Sequence, residues 1–199
     1  WGDCNGLTQN SVRYDSPTFG GFSVSASWGE DDFWDVAARY AGEFSGFKIA
    51  IAGAYNEVDD PDYNNIASGL GGFVPEMEYF QLGLYVQHIP SGLFGLYNFG
   101  TLEIAGGPDD INTHYFKGGL RTKFNHLGAT VFYGEYLNGQ DGGFNADSEL
   151  DVWGLGVVQE VDAAAMSVWV KFRNQQYEDA VETDVEDFNY VGVGGLINF

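Results

Sequence analysis

Apolar and polar residues alternate with a period of two along most of the chain, which is the pattern of β-strands whose two faces meet different surroundings. In the segment from Thr113 to Phe124, Lys117 and Arg121 lie on one face, and Phe116 and Leu120 lie on the other. The segment from Met166 to Tyr177 divides in the same way. The chain is therefore predicted to be an all-β protein.

The alternation predicts eleven strands, and most of them have close to the 9 to 11 residues that a tilted strand needs to cross a bilayer. Two of the strands carry apolar residues on both faces, so the sequence leaves their facing open: Leu93 to Ile104 and Leu127 to Leu137. The other predicted strands are Ser11 to Asp15, Gly21 to Trp28, Trp34 to Glu43, Phe47 to Asn56, Met77 to His88, Thr113 to Phe124, Leu150 to Val161, Met166 to Tyr177 and Phe188 to Phe199.

The connections between these strands alternate between short and long. Phe44 to Gly46, Ile89 to Gly92 and Asn125 to His126 are tight turns, whereas Glu57 to Glu76 and Glu178 to Asp187 are long and acidic. Short turns on one rim and long loops on the other are typical of an antiparallel transmembrane β-barrel. We expect one such barrel domain over residues 1–199.

The last predicted strand ends on an aromatic residue at the carboxyl terminus. Its final residues, Gly194 to Phe199, follow the order glycine, two variable residues, an apolar residue, one variable residue and phenylalanine. This order resembles the terminal signal by which outer-membrane β-barrels are recognised for assembly. The resemblance assigns that signal to Gly194, Ile197 and Phe199.

Composition excludes several classes of protein. The formal net charge is −21, so duplex DNA or RNA would be repelled, and we expect no nucleic-acid partner. No apolar run approaches the roughly 20 residues of a membrane-spanning helix. The 29 glycines and the 17% aromatic content favour an all-β barrel or sandwich.

The basic residues share one face of the predicted sheet, and most acidic residues lie in the connections. A charge at the middle of a bilayer on the lipid face costs about 2–4 kcal/mol, so basic residues on the other face indicate a water-filled lumen. A sandwich with one solvated face, the open alternative, also gives alternation. The predicted pore-lining residues are Arg13, Asp15, Arg39, Lys48, Lys117, Arg121, Lys123, Lys171 and Arg173.

The segments Asn10 to Phe22, Trp34 to Tyr40 and Phe47 to Ala50 resemble the general porins of Gram-negative outer membranes, where similar residues follow the pore-constricting loop. Such porins have about sixteen strands. The resemblance implies that the chain is a fragment holding the last eleven, with residues 1–9 as the tail of the constriction loop. Arg13 and Asp15 would then lie near the narrowest level.

The same resemblance implies a location in the outer membrane of a Gram-negative bacterium, contact with outer-membrane lipid, and a homotrimer. It also implies passive diffusion of small hydrophilic solutes and ions through the lumen. A field between basic and acidic wall residues would set the ion preference. An alternative for each basic residue is a solvated position without effect on selectivity.

No cofactor is expected, although one acidic loop offers a weak candidate site for Ca²⁺, which takes several carboxylate oxygens. The candidate ligands are Glu57, Asp59, Asp60 and Asp62, and they lack the spacing of an EF-hand. A solvated loop that repels itself is the competing interpretation.

The sequence does not predict an enzyme. His88, His114 and His126 are the only histidines, and neither Gly-x-Ser-x-Gly nor His-Glu-x-x-His occurs. Two other functions stay open: a soluble acidic β-protein that binds a ligand on an aromatic face, and an outer-membrane hydrolase with a serine and a histidine at its site.

Overall fold

In a computed structural model of the chain, eleven strands form one antiparallel sheet in which every strand pairs with the next one in sequence. The structure describes residues 10–29, 32–59, 76–107, 110–142, 147–178 and 186–198. The strands are β1 (Ser11–Asp15), β2 (Phe22–Gly29), β3 (Phe33–Phe44), β4 (Phe47–Val58), β5 (Met77–His88), β6 (Leu93–Ile104), β7 (Ile111–Thr122), β8 (Thr130–Gln140), β9 (Glu149–Val161), β10 (Met166–Glu178) and β11 (Phe188–Ile197).

All eleven predicted strands are present, and β8 is the one whose predicted bounds are most displaced. It begins at Thr130 rather than Leu127, so the connection after β7 is longer than the predicted two-residue turn. The Leu127 amide donates to Asn125 Oδ1 at 2.9 Å, and this bond bends the chain. Leu127 then accepts from Asp162 N at 2.8 Å, which ties the connection to the end of β9.

Strand pairing divides the side chains into two faces, which we call the polar face and the apolar face. On the polar face, side chains from strands that are not neighbours touch each other. Arg121 of β7 reaches Glu160 of β9, and Arg173 of β10 reaches Glu135 of β8. A single recess on this face is lined by residues from β3 to β8, among them Ala37 and Leu137, so the polar face is concave.

The apolar face is convex, and it leaves large apolar side chains uncovered. Val193 is 74% exposed and Val191 is 69% exposed, both on β11. Side chains of this size exposed over a whole sheet face are unusual in a water-soluble protein. Further exposed residues of this face are Val24, Val36, Ile51, Phe80, Leu82, Leu84, Phe116, Phe132, Leu155, Val168 and Val170.

A row of three carboxylates crosses the apolar face close to the long connections. Glu57, Glu78 and Glu103 lie opposite one another on β4, β5 and β6. The Tyr55 hydroxyl donates to Glu78 at 2.6 Å and to Glu57 at 3.2 Å. Charged groups on this face therefore begin where the long-loop rim begins.

The short connections are tight because their residues adopt left-handed backbone conformations. Ser45 and Gly46 join β3 to β4 with φ values of 49° and 83°, as a two-residue hairpin of the primed type requires. Between β5 and β6, Gly92 has φ 73° and an added Cβ would lie 2.0 Å from Arg121 O. These turns form one rim of the sheet.

In the described ranges, β1 and β11 form the two edges of the sheet and are not paired with each other. No helix in these ranges is long and apolar enough to cross a membrane. Residues 1–9, predicted as the tail of a constriction loop, lie outside the described residues.

Candidate functional site

All eight basic side chains lie on the polar face or directly beside it. Strand pairing places Arg13, Arg39 and Lys48 there on β1, β3 and β4. It places Lys117, Arg121, Lys171 and Arg173 on the same face of β7 and β10. Lys123 lies one residue beyond the end of β7, so the prediction that it belongs to a strand is wrong. The longer connection after β7 is the reason.

Four of the basic residues form exposed or half-exposed ion pairs. Arg13 donates to Asp15 on its own strand through two bonds of 2.9 Å. Arg121 donates to Glu160 in the same two-bond manner, at 2.5 and 2.6 Å. The other pairs are Lys48 with Glu43 at 3.3 Å and Lys123 with Asp162 at 3.5 Å. All four cations are matched by a nearby carboxylate.

The fifth ion pair lies in the middle of the sheet and is buried. Arg173 Nε donates to Glu135 Oε1 at 2.5 Å, and the exposed side-chain fractions are 13% and 2%. The Tyr115 hydroxyl donates to the second carboxylate oxygen at 2.6 Å. Arg173 also donates to the Tyr190 hydroxyl at 3.1 Å. This network links β7, β8, β10 and β11 on the concave side.

Glycines of β9 provide the space for this network. Gly154 lies between Glu135 and Arg173 in the cross-strand row. A Cβ on Gly154 would lie 2.9 Å from Arg173 Cγ and 3.0 Å from Glu135 Oε1. A Cβ on Gly156 would lie 2.3 Å from the Tyr133 ring. Long side chains from β8 and β10 therefore lie flat over β9.

Three basic residues of the polar face have no carboxylate oxygen within 4.0 Å among the described residues: Arg39, Lys117 and Lys171. Arg39 donates to Ser25 Oγ at 2.9 Å. The ammonium of Lys117 lies 3.7 Å from the centre of the Tyr133 ring, and that of Lys171 lies 5.2 Å from the Trp169 ring.

The part of the polar face between β3 and β7 is lined by small residues. A recess of about 380 Å³ opens there. Ala37, Ala52, Gly83 and Gly100 contribute to its lining. The concave side therefore combines small residues with larger ones such as Tyr79 and Tyr115 in this part, and it is charged between β7 and β11.

The candidate calcium ligands are only partly described. Asp60 and Asp62 lie outside the described residues. Glu57 lies on the apolar face of β4 and accepts a bond from Tyr55, and Asp59 follows the end of the strand. Within the ranges that the structure describes, no group of three or more His, Cys, Asp or Glu residues could hold a metal ion.

Two of the histidines make polar contacts that bear on the hydrolase alternative. His88 Nδ1 lies 2.8 Å from Ser91 Oγ in the turn after β5, and the Leu93 amide donates to the same oxygen at 3.3 Å. His114 Nδ1 lies 2.9 Å from the Tyr97 hydroxyl. The contact between Ser91 and His88 therefore closes a tight turn.

The residues assigned to the assembly signal divide between the two faces. Gly194 lies beneath Trp169, whose ring would be 2.4 Å from an added Cβ. Ile197 ends β11 on the apolar face and is 59% exposed. Phe199 lies outside the described residues.

Sequence reasoning missed the partners of the basic residues. Glu135 is an acidic residue inside a strand, and its partner Arg173 lies two strands away. The facing of β8 was open, because Tyr133 and Leu137 share one face while Phe132 and Tyr136 share the other. The sequence offers one signal for this pair, which is Glu135 itself, a carboxylate inside a predicted strand between Tyr133 and Tyr136.

Comparisons with known proteins identify the fold. No protein-family model matches the sequence, and no curated protein matches it. Among solved structures, the chain is similar to OmpTdeltaL8, a loop L8 deletion mutant of OmpT, an outer membrane protein of Vibrio cholerae. The TM-score is 0.60 at 14% identity, over 93% of this chain and 61% of that chain.

The anion-selective porin from Comamonas acidovorans is similar as well, with a TM-score of 0.56 at 15% identity, over 94% of this chain and 55% of that one. A trimer form of OmpT gives a TM-score of 0.56 at 14% identity, over 93% of this chain and 61% of that one. The chain thus spans about 61% of the length of the OmpT structures. The predicted fold, an antiparallel all-β sheet like that of these outer-membrane β-barrel proteins, is confirmed.

Proposed function

We propose that this chain forms part of the wall of a water-filled channel of the general porin type, through which small hydrophilic solutes and ions diffuse passively across the outer membrane. One observation carries the proposal. The described Lys and Arg side chains lie on or beside the concave polar face, and the opposite face exposes large apolar residues.

The two faces match the two solvents of a membrane channel. Charged side chains on the concave face are hydrated by lumen water, whereas a charge on the lipid face would cost about 2–4 kcal/mol at mid-bilayer. Val170, Val191 and Val193 instead offer apolar surface to lipid. Strand pairing satisfies the backbone polar groups of β2 to β10, as a spanning structure requires.

The alternative functions fit the same observations less well. A soluble protein that binds a ligand would leave the apolar face uncovered in water, where such a surface promotes aggregation. A hydrolase needs a base that is oriented by a third group, and the contact between His88 and Ser91 caps a turn. We therefore propose a channel that has no enzymatic activity.

The similar solved structures also support a proposal about the oligomeric state. One neighbour is a porin described as anion-selective, and another was observed as a trimer. We propose a homotrimer for the protein that contains this chain, surrounded by outer-membrane lipid.

Planar-bilayer recording on the full natural protein that contains this chain tests the channel. We expect stepwise ohmic openings after detergent-solubilised protein is added to one side. The matched variant Thr113→Trp places a large ring on the polar face opposite Gly100 and Gly139, and it should lower the unit conductance. Val170→Trp adds the same ring to the apolar face and should leave the conductance unchanged.

A protein that gives no openings, although heat-modifiable migration on gels shows that it is folded, would overturn the channel. Partitioning of the folded protein into the aqueous phase without detergent would instead support the soluble β-protein.

A further inference from the structure

Lys117 and Lys171 lie on the same stretch of wall, and among the described residues neither ammonium has a carboxylate oxygen within 4.0 Å. Lys171, Gly156 and Tyr133 occupy one cross-strand row of the polar face. Lys117 belongs to the adjacent row, and its ammonium lies over the Tyr133 ring at 3.7 Å. The strand of Tyr133, β8, thus lies between β7 and β10, the two strands that carry the lysines.

The carboxylate across the strand from Lys117 already accepts two hydrogen bonds. Glu135 lies directly opposite Lys117 on the neighbouring strand. Its Oε1 accepts from Arg173 at 2.5 Å, and its Oε2 accepts from Tyr115 at 2.6 Å. The Glu135 side chain is 2% exposed, and neither of its oxygens lies within 4.0 Å of the Lys117 ammonium.

Aromatic rings contact both ammonium groups but leave their hydrogen-bonding capacity unused. An ammonium has three N–H donors, and a ring face attracts the charge without supplying an oxygen acceptor. Lys171 lies 5.2 Å from the Trp169 ring and 5.8 Å from the Tyr190 ring. These donors are available to water or to a solute.

The rings are held in place by glycines beneath them. The Tyr133 hydroxyl would lie 2.4 Å from a Cβ on Gly156, so it rests over β9 beside Lys171. Trp169 lies in the same way over Gly194. Within the described part of the chain, the Tyr133 hydroxyl makes no hydrogen bond, so it offers a third donor on this part of the wall.

We propose that Lys117, Lys171 and the Tyr133 hydroxyl form a binding station for small oxyanions, such as inorganic phosphate or a carboxylate, on the channel wall. The assignment rests on the proposed channel. Two cations and a phenolic donor in adjacent rows of the same face match an anion with several acceptor oxygens. The station would favour passage of anions although the chain as a whole carries a charge of −21.

Binding of inorganic phosphate to the detergent-folded natural protein tests the station without requiring a channel. Broadening of the phosphate ³¹P resonance, titrated to saturation, measures the affinity. We expect Lys117→Gln and Lys171→Gln each to weaken binding about tenfold, because each removes a charged donor. Tyr133→Phe should weaken it about threefold through the loss of one neutral donor.

The matched control is Gln81→Glu on β5. It changes the net charge by the same amount as Lys117→Gln, on the same face but outside the station. If the three groups form a local binding site, the phosphate affinity of Gln81→Glu should stay within about twofold of the wild-type value. In bilayers with a KCl gradient, the double variant Lys117→Gln/Lys171→Gln should also lower the chloride-to-potassium permeability ratio, by about threefold.

The outcomes separate the two proposals. Phosphate affinity that falls equally in Gln81→Glu and Lys117→Gln would replace the station with a general field effect. Wild-type openings with no saturable phosphate binding would overturn the station and leave the channel. Saturable binding without any openings would support the station and overturn the channel. Circular dichroism of each single variant shows whether a loss of phosphate binding reflects a loss of folding.

Discussion

Replacing Glu135 with glutamine should destabilise the sheet strongly, because the carboxylate holds a buried cation. Glu135→Gln keeps the shape of the side chain and one acceptor oxygen for Tyr115. It removes the negative charge beside Arg173, whose side chain is 13% exposed. The change thus isolates the electrostatic part of the contact.

The magnitude follows from the burial of the pair. Two unit charges about 4 Å apart attract by about 4 kcal/mol at an effective dielectric constant of about 20. Breaking a buried pair by removing one partner typically costs about 3–5 kcal/mol. Arg173 keeps its bond to Tyr190, so we expect a loss near the lower end, about 3 kcal/mol.

Urea unfolding in detergent, followed by tryptophan fluorescence, measures this loss as a lower midpoint with an unchanged slope. Glu43→Gln is the matched control. Its partner Lys48 is 51% exposed and Glu43 itself is 62% exposed, so the loss should stay below about 1 kcal/mol.

A double-mutant cycle with Arg173→Gln completes the test. The double variant should be more stable than the sum of the two single effects implies, by about 2 kcal/mol, because it leaves no unpaired buried charge. Equal effects of Glu135→Gln and Glu43→Gln, or an additive cycle, would refute the buried ion pair.

Two further predictions use urea unfolding, the first in detergent and the second in lipid vesicles. Gly156→Ala should lower the free energy of unfolding by about 1–3 kcal/mol, since the added Cβ lies 2.3 Å from the Tyr133 ring. Gly95→Ala, where an added Cβ has nothing within 4 Å, should be neutral or stabilising by up to about 1 kcal/mol. Equal effects of the two changes would contradict the close packing over β9. Val170→Arg on the apolar face should cost about 2–4 kcal/mol in lipid, whereas Thr113→Arg on the polar face should cost less than about 1 kcal/mol; the reverse order would show that the faces are assigned wrongly.

The facing of most strands could be predicted, because one face of each of them carries the charged residues. Lys117 and Phe116 already separate the two faces of β7. The sequence could not assign β6, where Leu96 lies on the polar face and Phe99 on the apolar face. Curvature and pairing with neighbours decide the facing of such a strand, and neither is visible in its own residues.

The sequence predicts the basic residues of the candidate site but not the carboxylates that pair with them. Arg121 and Glu160 are 39 residues apart, and they meet because β7 and β9 pair with the two edges of β8. Nothing in the sequence distinguishes paired from unpaired cations, so Lys117 and Arg173 looked equivalent. β8 begins later than predicted because the Leu127 amide is held by the Asn125 side chain and Gly128 has a positive φ of 158°.

The carboxylate row on the apolar face limits how thick the surrounding bilayer can be. On β5 the apolar residues run from Phe80 to Val86, between Glu78 and His88. The two polar residues that bound this stretch, Glu78 and His88, are ten residues apart, which is about 34 Å along the strand and about 26 Å along the membrane normal at a tilt of about 40°. Outer-membrane barrels present an apolar band of about 25 Å, so in the proposed channel the stretch between the two polar residues matches the bilayer core. Because mismatch costs a fraction of a kcal/mol per Å, insertion should be slower into vesicles with a thicker core than into vesicles with a core of about 25 Å. The position of the carboxylate row thus predicts which bilayer thickness the sheet tolerates.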